Sequence, residues 1–280
     1  MRITSYSSKF WLWAPVVALL GLVVWAAGYW YVAAGALEKK LAAIKGHEAL
    51  PGITLSFDSA LVSGFPFNLD VVFTGLAVSG EGAHGPLRWT SEKFALHRLT
   101  YGPAQDIYEA AGSQSLSWTD GGGRSHAVKF LPGALRASIV ADRRGLTRFD
   151  LDMVAAGGTD EDGAPFTING AQFHMRRDPK SDALDLMLKG DEITAKDDIA
   201  HLFGDHIKSL SLYATLNQGS AFAPLLAGQE SWSKAAADWR AKGGTVVIGP
   251  VTIDSSGLKL SANLYADSGD DLRGLLSPLY

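Results

Sequence analysis

The chain of 280 residues has no cysteine. That excludes disulfides, thiolate metal sites and a thiol nucleophile, but it does not fix a compartment. Charge is missing altogether from residues 10–37. A basic excess is missing too. The whole chain carries 25 Lys and Arg against 29 Asp and Glu, and Arg2 and Lys9 precede the uncharged run. The remainder is therefore acidic, a poor match to nucleic acid or to an anionic membrane surface.

An uncharged apolar run of that length reads as a membrane span. Trp11 and Trp13 lie near one end, and Tyr29, Trp30 and Tyr31 at the other. The helical rise puts Trp13 and Tyr29 about 24 Å apart, which suits two aromatic belts at two interfaces. Pro15 falls in the first turns, where a missing donor is tolerated. The competing reading is a cleaved signal peptide, for which "AAGA" ending at Ala36 offers small residues, but its apolar region would be far shorter. The sequence thus predicts an uncleaved anchor over residues 1–37, spanning at about 11–33. The flanking charges are nearly balanced: Arg2 and Lys9 before the span, Lys39, Lys40 and Lys45 after it. The place of the span ahead of a large remainder favours an inward N-terminus. In a bacterium the domain then lies in the periplasm, on the inner membrane.

Residues 38–50 read as a short helical stalk, stopped by Pro51-Gly52. From 51 to 280 strand signals dominate. In "VSGFPFNLDVVF", Phe65, Phe67, Leu69, Val71 and Phe73 fall on one face by strict alternation. Gly64 can take positive φ, and Pro66 forces Phe65 toward extended geometry, so this strand starts at a bend. Further alternating runs are Phe149-Leu151-Met153, Leu184-Leu186-Leu188, Leu210-Leu212-Ala214-Leu216 and Leu258-Leu260-Ala262-Leu264. Turn clusters separate them, which predicts an antiparallel meander and not βαβ units. Two helices are expected between strands. One is "AKDDIAHLFGDHIKSL", with Ile199, Leu202 and Phe203 at helical spacing. The other covers about 220–242, with Phe222, Leu225, Leu226, Trp232, Ala236 and Trp239 on one face. A faint internal echo links "SGFPFNL" and "SGLKLSA".

Four motifs invite chemistry. "GEGAHG" (80–85) matches a dinucleotide fingerprint, but Pro86 and a strand follow where a helix is needed, so it reads as a hairpin. "SWSK" (Ser231 to Lys234) matches the core of a serine–lysine hydrolase without its companion motifs. Asp160-Glu161-Asp162-Gly163 resembles part of a calcium loop, but Gly157 and Gly158 stand where earlier acids belong. His201 and His206 are five apart and do not converge on a helix face. No cofactor or metal site is expected.

Gly64-Phe65-Pro66-Phe67 with its strand, Trp89, Tyr101-Gly102-Pro103, Trp239, Gly243-Gly244, Gly249-Pro250 and "TIDSSGLKLSANL" resemble a family of uncharacterised alphaproteobacterial envelope proteins. It is the domain of unknown function numbered twenty-one twenty-five. Ile248 stands where an aromatic is expected. The resemblance implies an N-terminal anchor and a periplasmic β-rich domain, with no known activity and no site residues. More distantly, the pattern looks like the AsmA-type envelope proteins, which shelter lipid in a β-groove; that is a fold-level analogy.

The expected architecture is mainly β (α+β): a transmembrane helix, then a large curved antiparallel sheet with two or three packed helices. The first functional expectation is non-enzymatic: lipid or another lipophilic ligand held in an apolar groove walled by Phe65, Phe67, Leu69, Val71 and Phe73, with Gly64 and Pro66 as the structural turn. The alternatives are a scaffold for an envelope complex and, remotely, a hydrolase using Ser231.

Overall fold

The computed structural model describes residues 8–66, 68–82, 84–99, 105–142, 145–195, 204–255 and 259–267. Helix α1 (Ser8–Ile44) has two stretches of different character. From Trp13 to Tyr29 its large apolar side chains are exposed, Trp25 at 68% and Val24 at 71% among them. This helix is long and apolar enough to cross a membrane. From Trp30 onward one stripe turns inward: Trp30, Ala34 and Leu41 are buried, and Leu37 and Ile44 pack beside Leu41. That spacing is the helical period, so this stretch lies along a surface of the domain. The stalk expectation needs correction. The helix stops at Ile44, and residues 47–50 form a strand that Pro51-Gly52 turns into the next.

Fourteen strands follow: β1 (His47–Leu50), β2 (Ile53–Ser56), β3 (Ser59–Ser63), β4 (Asn68–Glu81), β5 (Pro86–Leu99), β6 (Gln105–Thr119), β7 (Ser125–Leu131), β8 (Ala134–Asp142), β9 (Gly145–Thr159), β10 (Pro165–Arg177), β11 (Ala183–Thr194), β12 (His206–Asn217), β13 (Thr245–Ser255) and β14 (Lys259–Asp267). They form one antiparallel sheet in chain order, as the alternation predicts. Two rows are broken in the middle. β2 and β3 lie end to end beside β4, and β7 and β8 lie end to end between β6 and β9.

Those breaks belong to a seam that crosses the sheet. Gly75 of β4 opposes Glu92 of β5, which opposes Gly112 and Ser113 of β6. The seam continues through the β7/β8 break, Ala155 of β9, Asn169 of β10, Glu192 of β11 and a bulge at Lys208 of β12. Four of these residues are left-handed: Gly75 (φ 59), Gly112 (φ 74), Ala155 (φ 51) and Glu192 (φ 47). Carboxylates fill the space a side chain would take at the two glycines, Asp58 over Gly75 and Glu92 over Gly112. Such irregularities bend a strand and switch its alternation. In β4, Val71 and Phe73 share a face with Leu76 and Val78, not with Gly75 or Ala77.

Below the seam, directly paired residues make an unbroken apolar row: Val71, Leu96, Tyr108, Ala137, Leu151, Phe173, Leu188, Leu212 and Val251. Helix α1 covers the first end of this face, with Leu41, Phe57, Val71, Phe73 and Leu76 as the core. The other end is covered by a 3₁₀ turn (Gly219–Phe222) and helices α2 (Ala223–Leu226) and α3 (Trp232–Ala241), packed on Leu184, Leu216 and Val246. These three pieces replace the single helix expected over 220–242. Gly228, at φ 69, ends α2 with its N–H on the Leu225 carbonyl. A second correction concerns 195–210. From His206 on this stretch is strand β12, and Ile199, Leu202 and Phe203 lie outside the described residues.

The sheet is strongly curved. A Cβ at Gly52, in the β1–β2 turn, would stand 3.7 Å from Ser231 beside α3. The late helices thus touch the first hairpin across the concave face.

Candidate functional site: an open apolar trough

Between the two helical covers no described residue lies over the concave face. Its open part is a trough of about 360 Å³ lined by Trp89, Phe94, Tyr108, Leu135, Ile139, Phe149 and Leu151, with Arg136 at its rim. The aromatic rings step along it: Phe73 to Phe94 at 6.2 Å, Phe94 to Trp89 at 5.5 Å and Phe94 to Tyr108 at 5.9 Å. Trp89 also lines a larger cavity of about 710 Å³ under the late helices, with Leu50, Ile53, Val78, Leu225 and Trp232. The two spaces meet at that indole. Both fall in the size range of small-molecule sites, about 300–1,000 Å³.

The trough ends at an ionic group. Arg98 makes a two-point contact with Asp106, and the Tyr108 hydroxyl stands 3.5 Å from the same carboxylate. Burial pushes the Tyr108 phenol up to about 12, and the Asp106 charge adds to this. Tyr108 is therefore a neutral, amphipathic wall with its polar tip at the strand ends.

The opposite face holds a polar concavity of about 550 Å³ around Asp150. Asp150 is buried and accepts from His174 Nδ1 at 2.6 Å, Arg148 Nε at 2.6 Å and Ser138 Oγ at 3.2 Å. Burial pushes its carboxyl up. The bonds from His174 and Arg148 outweigh this and hold it below the usual carboxylate range.

Of the wall residues named from sequence, Val71 is fully buried and Phe73 nearly so, both beneath α1. They are floor of the α1 packing. Leu69 precedes them on the same face, half-buried and paired with Arg98. Phe65 is half exposed in the turn and packs against Trp30 and Tyr31 of α1. Phe67 lies outside the described residues. Gly64 has φ 96, and a Cβ there would meet the Asn68 carbonyl at 2.8 Å; Pro66 follows a cis peptide bond. The open wall lies farther along the same face, on β5, β6, β8 and β9. Of the segments that supply Tyr108, Leu135 and Ile139, "LRASIV" alternates, whereas in "DIYEAAG" apolar residues stand side by side at Ile107-Tyr108 and Ala110-Ala111 and hide the face.

The tempting motifs resolve locally. "GEGAHG" joins β4 to β5 as a hairpin. Asp160 closes its own turn, accepting from the N–H groups of Asp162 and Ala164. Among the described residues no cluster of His, Asp and Glu could hold a metal. In "SWSK", Lys234 donates to Asp238 at 2.6 Å and to Glu230 at 3.0 Å. The Asp238 and Glu230 bonds raise its pKa, the opposite of what a lysine base needs. Ser231 Oγ meets Ser233 Oγ, not the amine.

A helix long enough to cross a membrane, carrying a curved antiparallel sheet with a partly open apolar inner face, defines the class of this protein. The chain belongs to a family described as uncharacterised proteins conserved in bacteria (DUF2125), whose model matches residues 30–277. No curated protein and no solved structure matches it. Trp239 and Gly244, two residues of that resemblance, explain each other. The indole fills the space a Gly244 side chain would need and donates to the Asn217 carbonyl at 2.7 Å.

Proposed function

We propose that this is a non-enzymatic protein of the bacterial envelope, held in the inner membrane by α1, with its sheet in the periplasm and a bilayer lipid's acyl chain in the trough. The observation that carries the reading is the apolar row Phe94, Tyr108, Leu135, Ile139, Phe149 and Leu151 between two helical covers. Each methylene moved from water onto such a surface contributes about 0.8 kcal/mol. The same cost falls on the apolar wall while it stands in water, and an acyl chain would remove it by covering the wall. Helix α1 lies on the same face and brings bilayer lipid within reach. Native mass spectrometry of the detergent-extracted protein tests this. A lipid adduct on the parent, lost in Leu151→Glu with the fold retained, supports it. A parent of bare polypeptide mass after mild extraction would sink it.

The polar concavity around Asp150 favours a second reading, a scaffold for an envelope complex. Arg176→Glu separates the two. It would release a protein partner while leaving lipid content unchanged.

A further inference from the structure

The turn at residues 64–66 has no packing role inside the sheet. Phe65 is 49% exposed. Its ring lies 5.5 Å from Trp30, edge to face, and 5.9 Å from Tyr31. Tyr31 is 68% and Tyr29 57% exposed. These three aromatics stand where the all-round exposed stretch of α1 ends and its packed stretch begins.

The depth of this patch is fixed by two hydrogen bonds. The Trp30 indole donates to the Asn68 carbonyl at 2.7 Å, pinning helix to strand. The Asn68 N–H donates to the Gly64 carbonyl at 2.8 Å, closing the turn. A half-exposed Phe is by itself an ordinary surface feature. Here it extends an apolar helix surface sideways, at the level where aromatic residues favour the membrane–water boundary.

We propose that this turn is a second membrane contact, which inserts Phe65 into the bilayer interface beside α1. The proposal rests on α1 being a span and not on the trough. It also sets the posture of the domain. Asn68 pairs with Leu99, and β6, β8 and β9 begin or end at that same border of the sheet. With Phe65 in the interface, the Arg98–Asp106 end of the trough faces the bilayer surface and the far hairpins point away from it.

The absence of cysteine makes the test clean. A nitroxide is placed singly at Phe65→Cys, Val24→Cys and Asp162→Cys in the full chain. The chain is reconstituted in vesicles of phosphatidylethanolamine and phosphatidylglycerol. Collision with oxygen and with a water-soluble nickel chelate is read by power saturation. Val24 should favour oxygen, and Asp162, exposed in a far hairpin, should favour nickel. Phe65 should lie beside Val24, with nickel collisions several-fold below those at Asp162. A Phe65 label as open to nickel as Asp162, with Val24 in lipid, would overturn the contact alone. Three water-exposed labels would overturn the span and the contact with it.

Discussion

Gly64 shows how much one residue decides. Its φ of 96 is left-handed, and a Cβ there would strike both the Asn68 carbonyl and the Asp70 carboxylate. Gly64→Val should therefore cost at least about 1 kcal/mol, from backbone strain before any crowding. A thermal melt indistinguishable from the parent's would show that the turn relaxes freely. Phe73 and Leu151 make the complementary comparison, since they share a face but not a neighbourhood. Phe73 is sealed under α1, so Phe73→Ala should cost about 3–5 kcal/mol by leaving a void. Leu151 lines the open trough, and Leu151→Ala should cost clearly less because no closed cavity forms. Urea midpoints at constant slope measure both, and equal losses would mean that the trough is packed core.

At the level of elements, alternation in the sequence made the strands and their meander legible. It also placed Val71 and Phe73 on one face correctly. The seam was not legible. Ala155 and Glu192 adopt left-handed backbone without being glycine, so nothing in their identity announces a switch of parity. Counting by twos through a strand that crosses it therefore puts the far half on the wrong face. The expected helix over 220–242 failed for a related reason: one residue, Gly228, turns the chain between two short helices. The far hairpins carry a device that single-strand reading also misses. His126 lies between Asp120 (2.9 Å) and Glu161 (2.8 Å), joining the β6–β7 turn to the β9–β10 turn. Both ring nitrogens face carboxylates, which requires the imidazolium. The bonds to Asp120 and then Glu161 raise its pKa. Asp120 is lowered by His126 and the Arg124 N–H, and Glu161 by its own backbone N–H and then by His126. A raised histidine contributes fully below its ordinary value of about 6.5 and ceases to as pH climbs through the raised one. Lowered carboxylates contribute above their ordinary value of about 4 and cease on acidification. The clamp is thus whole between about pH 5 and 6.5. The melting difference between parent and His126→Gln should be widest there and shrink toward pH 9. A difference constant across that range would remove the imidazolium from the explanation.

For the whole molecule, the first question is which side of the membrane the sheet occupies. The near balance of Lys and Arg around the span left this to the position of the span alone. An alkaline phosphatase fused after the last residue should be active, and a fluorescent protein that matures only in the cytoplasm should stay dark. The reverse pattern would move the domain to the other side.

The meander has a consequence in time. Most strands lie beside a neighbour in the chain, and such local pairing is quick to form. Rows can be added in the order in which the ribosome releases them, each new strand finding its template already standing. The late helices depart from this order most. The segment around Gly228 and Ser231 reaches back to the first hairpin, so that contact forms only after β12 has been made. The roof over the larger cavity thus arrives long after the hairpin it meets. In pulse-labelled hydrogen exchange, amides of β4 to β6 should gain protection before those of α3. During that interval the inner face beyond α1 lacks its second helical cover.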